Sequence, residues 1–217
     1  MNFELARANM VTQQVRPWHV LDEDVLKVMA NLQRELFVPK EFQALAYSDT
    51  DIPMKEGQTL LSPKVVGRAL QAMAFTGDEK VLEIGTGTGY VTACLSQLAH
   101  SVVSVEIHES LLNMAEAQLA QLPCQNVTLL HQDGILGVSS LAPFDVIVVT
   151  GSFPLGVPEA LIEQLKVHGR LFAVCGQAPT MQAVKIVRDQ SAYQLSSLFE
   201  TVVPSLINAK QPEKFEF

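Results

Sequence analysis

The stretch Val81-Leu82-Glu83-Ile84-Gly85-Thr86-Gly87-Thr88-Gly89-Tyr90 decides the fold. Its first half is apolar at 81, 82 and 84, with one carboxylate, Glu83, inside the run. Consecutive apolar positions suit a strand covered on both faces. Three glycines follow at 85, 87 and 89, and residues 90–98 read as a helix. Glycines placed there let the chain turn tightly and let its backbone approach a ligand. A ligand of such a unit lies beyond the carboxyl ends of the strands, where the strand order reverses. The spacing narrows the ligand. A dinucleotide fingerprint needs its third glycine at 90, which is Tyr90, and no Lys-Ser/Thr follows to make a P-loop. Glu83 beside the loop disfavours a pyrophosphate and suits a ligand that carries an ammonium group and no phosphate.

The same pattern continues downstream. Apolar strands are expected at 102–105, 127–130, 144–149 and 170–174, with helices at 109–120 and 158–165. Two further strands, near 182–188 and 194–203, suit an antiparallel hairpin. Upstream the chain reads as helical. Residues 3–15 lack Gly and Pro, and Pro17 ends them. Asp22 caps a helix to about residue 34, and Pro39 opens a short one to about 47. A polar, irregular stretch covers 48–59, and Pro63 opens a helix to 73. Strands alternating with helices imply a parallel sheet with right-handed crossovers. The expected fold is α/β, a three-layer α/β/α sandwich with a Rossmann-like, mostly parallel sheet of about seven strands and a helical N-terminal extension.

Composition removes other classes. A chain of 217 residues, 48% hydrophobic and 18% charged, is not disordered. A net charge of −8 with scattered Lys and Arg disfavours nucleic acid and anionic membrane surfaces as partners. No apolar run approaches the roughly 20 residues that cross a bilayer. The first residues lack the apolar core of a signal peptide, so a cytoplasmic location is expected. Cys94, Cys124 and Cys175 are odd in number and widely spaced, which fits neither a disulfide framework nor a zinc site. Cys94 and Cys175 are expected as core thiols. His100, His108, His131 and His168 are scattered, so no metal site is expected. Trp18 reads as an anchor for the N-terminal extension, or as part of a cover over the site.

The glycine segment resembles motif I of the class I S-adenosylmethionine-dependent methyltransferases. A closer resemblance, from about Met10 to about Leu206, is to the protein-L-isoaspartate O-methyltransferase family. It is carried by 34–39, 46–49, Ile52-Pro53, Gly57-Gln58-Thr59 with Pro63, 81–90, His131-Gln132-Asp133-Gly134, 143–145, 148–150 and 202–206. The resemblance implies S-adenosyl-L-methionine as cofactor, held by Gln58, Thr59, Leu60, Glu83, Gly85, Thr86, Gly87, Tyr90, Glu106, Ile107, Asp133, Gly134 and Thr150. Glu83 would help orient the cofactor's amino group, Glu106 would accept from both ribose hydroxyls, and Asp133 would contact adenine. With no internal repeat and no linker in the residue pattern, one domain is expected over 1–217, with 1–76 as helical extension and substrate loop and 77–217 as the cofactor-binding sheet. The implied partner is a damaged protein or peptide whose isoaspartyl carboxylate is esterified.

The chain departs from that family at one informative point. The family's loop reads Gly-x-x-Ile-Ser-x-Pro, and the serine position here is Leu61, in Gly57-Gln58-Thr59-Leu60-Leu61-Ser62-Pro63. Ser62 and Thr59 are the candidate catalytic hydroxyls in its place. Two alternatives stand beside isoaspartyl activity: a methyltransferase for another carboxylate or small molecule, and a non-catalytic relative that binds the cofactor.

Overall fold

Capping and proline chemistry set the N-terminal elements. The computed structural model describes residues 2–213, so Met1 and 214–217, the ends of the expected 1–217 span, lie outside the described residues. In α1 (Phe3–Asn9) the Asn2 side chain accepts the Leu5 amide at 3.0 Å. The helix then widens into a π segment, Met10–Val15, and tightens into a 3-10 turn, Arg16–Trp18. The expected helix over 3–15 is therefore not uniform, and its wide part buries Met10, Val11 and Val15. In α2 (Glu23–Asn31) the Asp22 carboxylate accepts the Asp24 and Val25 amides at 3.0 and 3.2 Å. This helix stops at 31 rather than 34, and the next residue, Leu32, is extended.

Residues 40–45 form a 3-10 segment where a short helix is expected. The stretch read as irregular holds a two-stranded antiparallel ribbon, β1 (Ile52–Pro53) against β2 (Thr59–Leu60). Then comes α3 (Pro63–Met73), as expected. The sheet elements follow in chain order: β3 (Lys80–Ile84), α4 (Tyr90–Leu98), β4 (Ser101–Glu106), α5 (Glu109–Leu119), β5 (Val127–His131), β6 (Phe144–Phe153), α6 (Glu159–Ile162), β7 (Leu165–Gln177), β8 (Thr180–Arg188) and β9 (Tyr193–Glu200).

The seven-stranded sheet has the order β5-β4-β3-β6-β7-β8-β9. The pairs from β5 to β7 are parallel, and β8 and β9 add antiparallel. From β3 the chain steps to β4 and β5 on one side, then returns to β6 on the other. The reversal therefore lies between β3 and β6, and a crevice opens there at their carboxyl ends. Strands β6 and β7 run longer than the residue pattern suggests. Phe144 pairs with Leu165, and Ser152 and Phe153 pair with Val174 and Cys175 across two register shifts. This lengthening confines α6 to four residues, where a helix over 158–165 is expected.

Both sheet faces are covered. Val81, Val146, Val148 and Phe172 pack with Met29, Leu70 and Leu95 in one apolar cluster, which also takes in Met10 and Val15. Leu82, Ile84, Ile147 and Leu171 pack with Leu161 and Ile162 in the other.

Arg34 lies in the first cluster's region and is fully buried. Its Nε donates to the Ala46 carbonyl at 2.8 Å and its Nη2 to the Leu61 carbonyl at 2.7 Å. The guanidinium carbon sits 4.6 Å from the Tyr90 ring centroid. Burial pulls its pKa below the usual arginine value, against the favourable field of the Tyr90 hydroxyl. One planar cation thus ties both ends of the 46–61 segment to the core. Arg34→Lys offers a point charge instead of a planar fork. It is expected to leave one buried carbonyl unpaired and cost about 1–3 kcal/mol, read as a lower urea midpoint. An unchanged midpoint would assign that tethering to other contacts.

Candidate active site

The glycine loop is built onto the end of β4. The Gly85 and Thr86 amides both donate to the Val105 carbonyl, at 2.9 and 3.2 Å. The Gly87 amide donates to Glu106 Oε2 at 2.8 Å, and the His108 amide to Oε1 at 3.0 Å. The Glu106 carboxylate is thereby held by one backbone donor on each oxygen. On the other side the Thr150 hydroxyl lies 3.0 Å from the Ile84 carbonyl and 2.7 Å from the Gly85 carbonyl. Gly85 has φ +94°, and a Cβ there would fall 2.3 Å from Thr150 Oγ1. Only glycine suits that position. Gly134 is constrained by space, because a Cβ would lie 2.5 Å from Val105 Cγ2.

These contacts frame an open cleft at the β3/β6 reversal. Of the residues expected at the cofactor, Gln58, Thr59, Gly85, Gly87 and Glu106 line it, as do Ile107, Asp133, Gly134 and Thr150. Asp133 Oδ1 accepts the Ile135 amide at 2.9 Å, and Oδ2 accepts Asn208 Nδ2 at 2.8 Å. Ile84, Val105, Leu111 and Ile135 supply apolar walls. The lining carries two carboxylates, Glu106 and Asp133, and no Lys or Arg. That donor set repels phosphate. It fits a ligand with hydroxyls, an apolar base and positive charge.

Leu60, Glu83, Thr86 and Tyr90 do not line the cleft. Leu60 and Tyr90 are buried in the core, with the Tyr90 ring edge-on to Phe37 at 5.6 Å. The Thr86 hydroxyl pairs with Ser104 Oγ at 2.6 Å. Glu83 is shut away at 0% exposure. Its Oε2 accepts from the Ser104 and Thr92 hydroxyls, while its Oε1 is buried with no partner. Burial pushes this carboxyl up to about 8. The two hydroxyl donors oppose the shift, and the nearby Glu106 adds to it. Glu83 thus supports the loop from beneath as a neutral acid.

A second groove adjoins the cleft. Asp51, Gln177 and Met181 line it, and it shares Thr59, Pro204 and Ser205 with the cleft. The two candidate catalytic hydroxyls separate here. Thr59 faces both cavities, whereas Ser62 is buried at the start of α3 and lines neither. The Ser62 amide donates to Asp51 Oδ1 at 2.7 Å, and burial raises the Asp51 pKa against that bond. Leu61 is 6% exposed and belongs to the core cluster, so it is not pocket wall either.

The tail residues Pro204, Ser205 and Leu206 reach the site through β6. The Ser152 amide donates to the Pro204 carbonyl, and the Leu206 amide to the Ser152 carbonyl, both at 3.0 Å. The similarity of 202–206 to the family was the one sequence signal for them. Met54, His108 and Ile207 also line the cleft without any local motif to mark them. Trp18 stands away from both cavities, with its carbonyl accepting from Arg68 and its ring 4.3 Å from the Lys64 ammonium. Cys94 is buried, while Cys175 is only partly so. Among the described residues no cluster of His, Cys, Asp or Glu is arranged to hold a metal.

Comparison with known proteins adds a separate line of observation. A family model described as protein-L-isoaspartate(D-aspartate) O-methyltransferase matches residues 6–204. A protein-L-isoaspartate O-methyltransferase of Koribacter versatilis is 40% identical over 189 residues, covering 87% of this chain and 84% of that one. One of Syntrophus aciditrophicus is 41% identical over 186 residues, covering 86% and 85%. A solved protein-L-isoaspartate O-methyltransferase superposes with a TM-score of 0.80 at 26% identity over 92% of this chain, which spans 65% of that longer one. A Plasmodium falciparum structure in complex with S-adenosyl-L-homocysteine superposes with a TM-score of 0.79 at 21% identity, covering 95% and 98%, and shares the fold.

Two outcomes follow from the geometry. Glu106→Ala removes a charged acceptor from the cleft and is expected to weaken S-adenosylhomocysteine binding by about 1.5–3 kcal/mol, measured by calorimetry. Unchanged affinity would move the ligand elsewhere. Glu83 tests the buried acid. Unfolded, it loses its proton near 4.5; folded, it holds it to about 8. Stability is therefore expected to fall as pH rises between those values. Glu83→Gln should flatten that decline, by on the order of a few kcal/mol between pH 5 and pH 8. Parallel stability curves for the two proteins would show that Glu83 ionises freely.

Proposed function

This chain belongs to the protein-L-isoaspartate(D-aspartate) O-methyltransferase family, and from that membership we propose that it methylates the side-chain-like carboxylate of isoaspartyl residues in damaged proteins, with S-adenosyl-L-methionine as methyl donor. The observation that carries the reading is the pairing of two cavities. A cleft with carboxylates and apolar walls shares Thr59, Pro204 and Ser205 with a second groove beside it. The first suits the cofactor, and the second suits a polypeptide that must bring one carboxylate to the first.

The chain's own residues have a limited task. S-adenosylmethionine supplies an electrophilic methyl on a sulfonium. Glu106 keeps a lone pair on each oxygen after accepting the Gly87 and His108 amides, enough to accept two vicinal hydroxyls. Asp133 and the apolar residues Ile107 and Ile135 hold the base. The Gly85–Thr150 contact keeps the floor of the cleft close. A substrate carboxyl with a pKa near 4 is already ionised at neutral pH, so no side chain has to remove a proton. What remains is to hold oxygen, carbon and sulfur in line and to exclude water. Orientation of this kind is worth up to about 7–11 kcal/mol. The ester formed would then close to a succinimide that reopens in part to normal aspartate. A cytoplasmic site of action belongs to the same reading and is supported by three cysteines that remain unpaired.

The test is transfer of labelled methyl from S-adenosylmethionine to an isoaspartyl peptide, beside its aspartyl twin. Selective labelling of the isoaspartyl peptide is the expected result. Cofactor binding without any labelling would turn the reading toward another carboxylate or small-molecule substrate, or toward a binding protein.

A further inference from the structure

We propose that Ser205 is a substrate-binding residue, whose hydroxyl donates to the non-reacting oxygen of the substrate carboxylate and so does the work that Leu61 cannot. The proposal rests on the isoaspartyl reading above and assigns a residue within it. Four observations carry it.

The first is position. The two cavities share only Thr59, Pro204 and Ser205 among their lining residues. A methyl passing from an occupant of the cleft to an occupant of the groove crosses at that junction. Proline offers no donor, so Thr59 and Ser205 carry the side-chain donors there.

The second is availability. Of the other hydroxyls nearby, Thr150 is committed to the carbonyls of Ile84 and Gly85 and Ser152 to the carbonyl of Val203 at 2.9 Å, which leaves Thr59 on the loop side and Ser205 on the tail side. Ser62 lines neither cavity. The Ser205 hydroxyl has no hydrogen-bond partner among the described residues, and the residue lines both cavities.

The third is preorganisation. The peptide groups on both sides of Ser205 are bonded to Ser152 in β6, through the Pro204 carbonyl and the Leu206 amide. Next to it, a Cβ on Gly151 would fall 2.6 Å from Leu206 Cδ2, so the tail lies flat on the strand. A hydroxyl on a pinned backbone loses little further freedom when it binds, which favours affinity.

The fourth is charge. The groove's lining holds no Lys or Arg, and its one ionisable side chain is Asp51. A carboxylate entering there meets no cation. Neutral donors must hold it, and of its two oxygens one must stay free to attack. A hydroxyl at the junction satisfies the other.

The experiment uses the full chain with Ser205→Ala and Ser205→Thr, an isoaspartyl peptide as substrate, and S-adenosylhomocysteine affinity as an independent measure of the cleft. Loss of a hydrogen bond to a charged group corresponds to about a 10- to 100-fold fall. Ser205→Ala is expected to lower kcat/KM for the peptide by that factor, mainly through a higher KM. S-adenosylhomocysteine Kd and melting temperature should stay as in the wild type, and Ser205→Thr should recover most of the loss. A Ser205→Ala enzyme within twofold of wild type in kcat/KM overturns the proposal and leaves the isoaspartyl reading standing. A loss matched by equally weakened S-adenosylhomocysteine binding also overturns it, because the residue would then serve the cleft. Absence of methyl transfer by the wild type overturns the isoaspartyl reading and this assignment with it.

Discussion

Three backbone amides, those of Gly85, Thr86 and Gly87, fold back onto the end of β4, and the rest of the site depends on that return. Two of them share the Val105 carbonyl, and the third takes one oxygen of Glu106. The loop can make this turn because Gly85, Gly87 and Gly89 all have positive φ, a region costly for residues with a Cβ. Once the loop is bound to β4, Glu106 is locked facing the cleft. Thr150 then closes the other side against the Gly85 carbonyl. The mouth of the sheet is therefore closed by backbone bonds to Val105 and by the Glu106 and Thr150 side chains bonded to the glycine loop.

Two buried ionisable groups support this from within, and they do so differently. Arg34 keeps its charge and spends it on carbonyls of Ala46 and Leu61 and on the face of Tyr90. It sets where the 46–61 segment enters and leaves. Glu83 gives up its charge instead, held near 8 by burial, and accepts from Ser104 and Thr92 under the glycine loop. A planar cation with a fork of donors can be satisfied by neutral carbonyls. A lone carboxylate in the same surroundings is more cheaply kept as an acid.

Much of this was legible in the residue pattern. Apolar runs at 81–84, 102–105 and 144–149 predicted strands covered on both faces, and the sheet has them so. Asp22, Pro63 and the glycines marked element ends that the structure keeps within a residue or so. Positions at strand ends, such as Glu106 and Asp133, were legible for the same reason: a strand end after a crossover faces the crevice. Glu83 shows where that reasoning stops. It lies within the strand, and which face receives its side chain depends on what packs there. Tyr90 and Thr86 belong to the same case, since adjacent positions in a turn can point to solvent or to core.

The class of fold, the order of its elements and the glycine turn that needs positive φ could be read from the residues alone, because they follow from local periodicity and from steric limits on single residues. Which hydroxyls lie between the two cavities is settled by packing in three dimensions. Thr59 and Ser205 are 146 positions apart in the chain, and no local rule brings them together. Their meeting depends on the Ser152 backbone capturing the tail and on Arg34 placing the loop. Ser62 and Leu61, the neighbours that the motif singled out, turn inward because Pro63 begins a helix whose first turn is packed against the core.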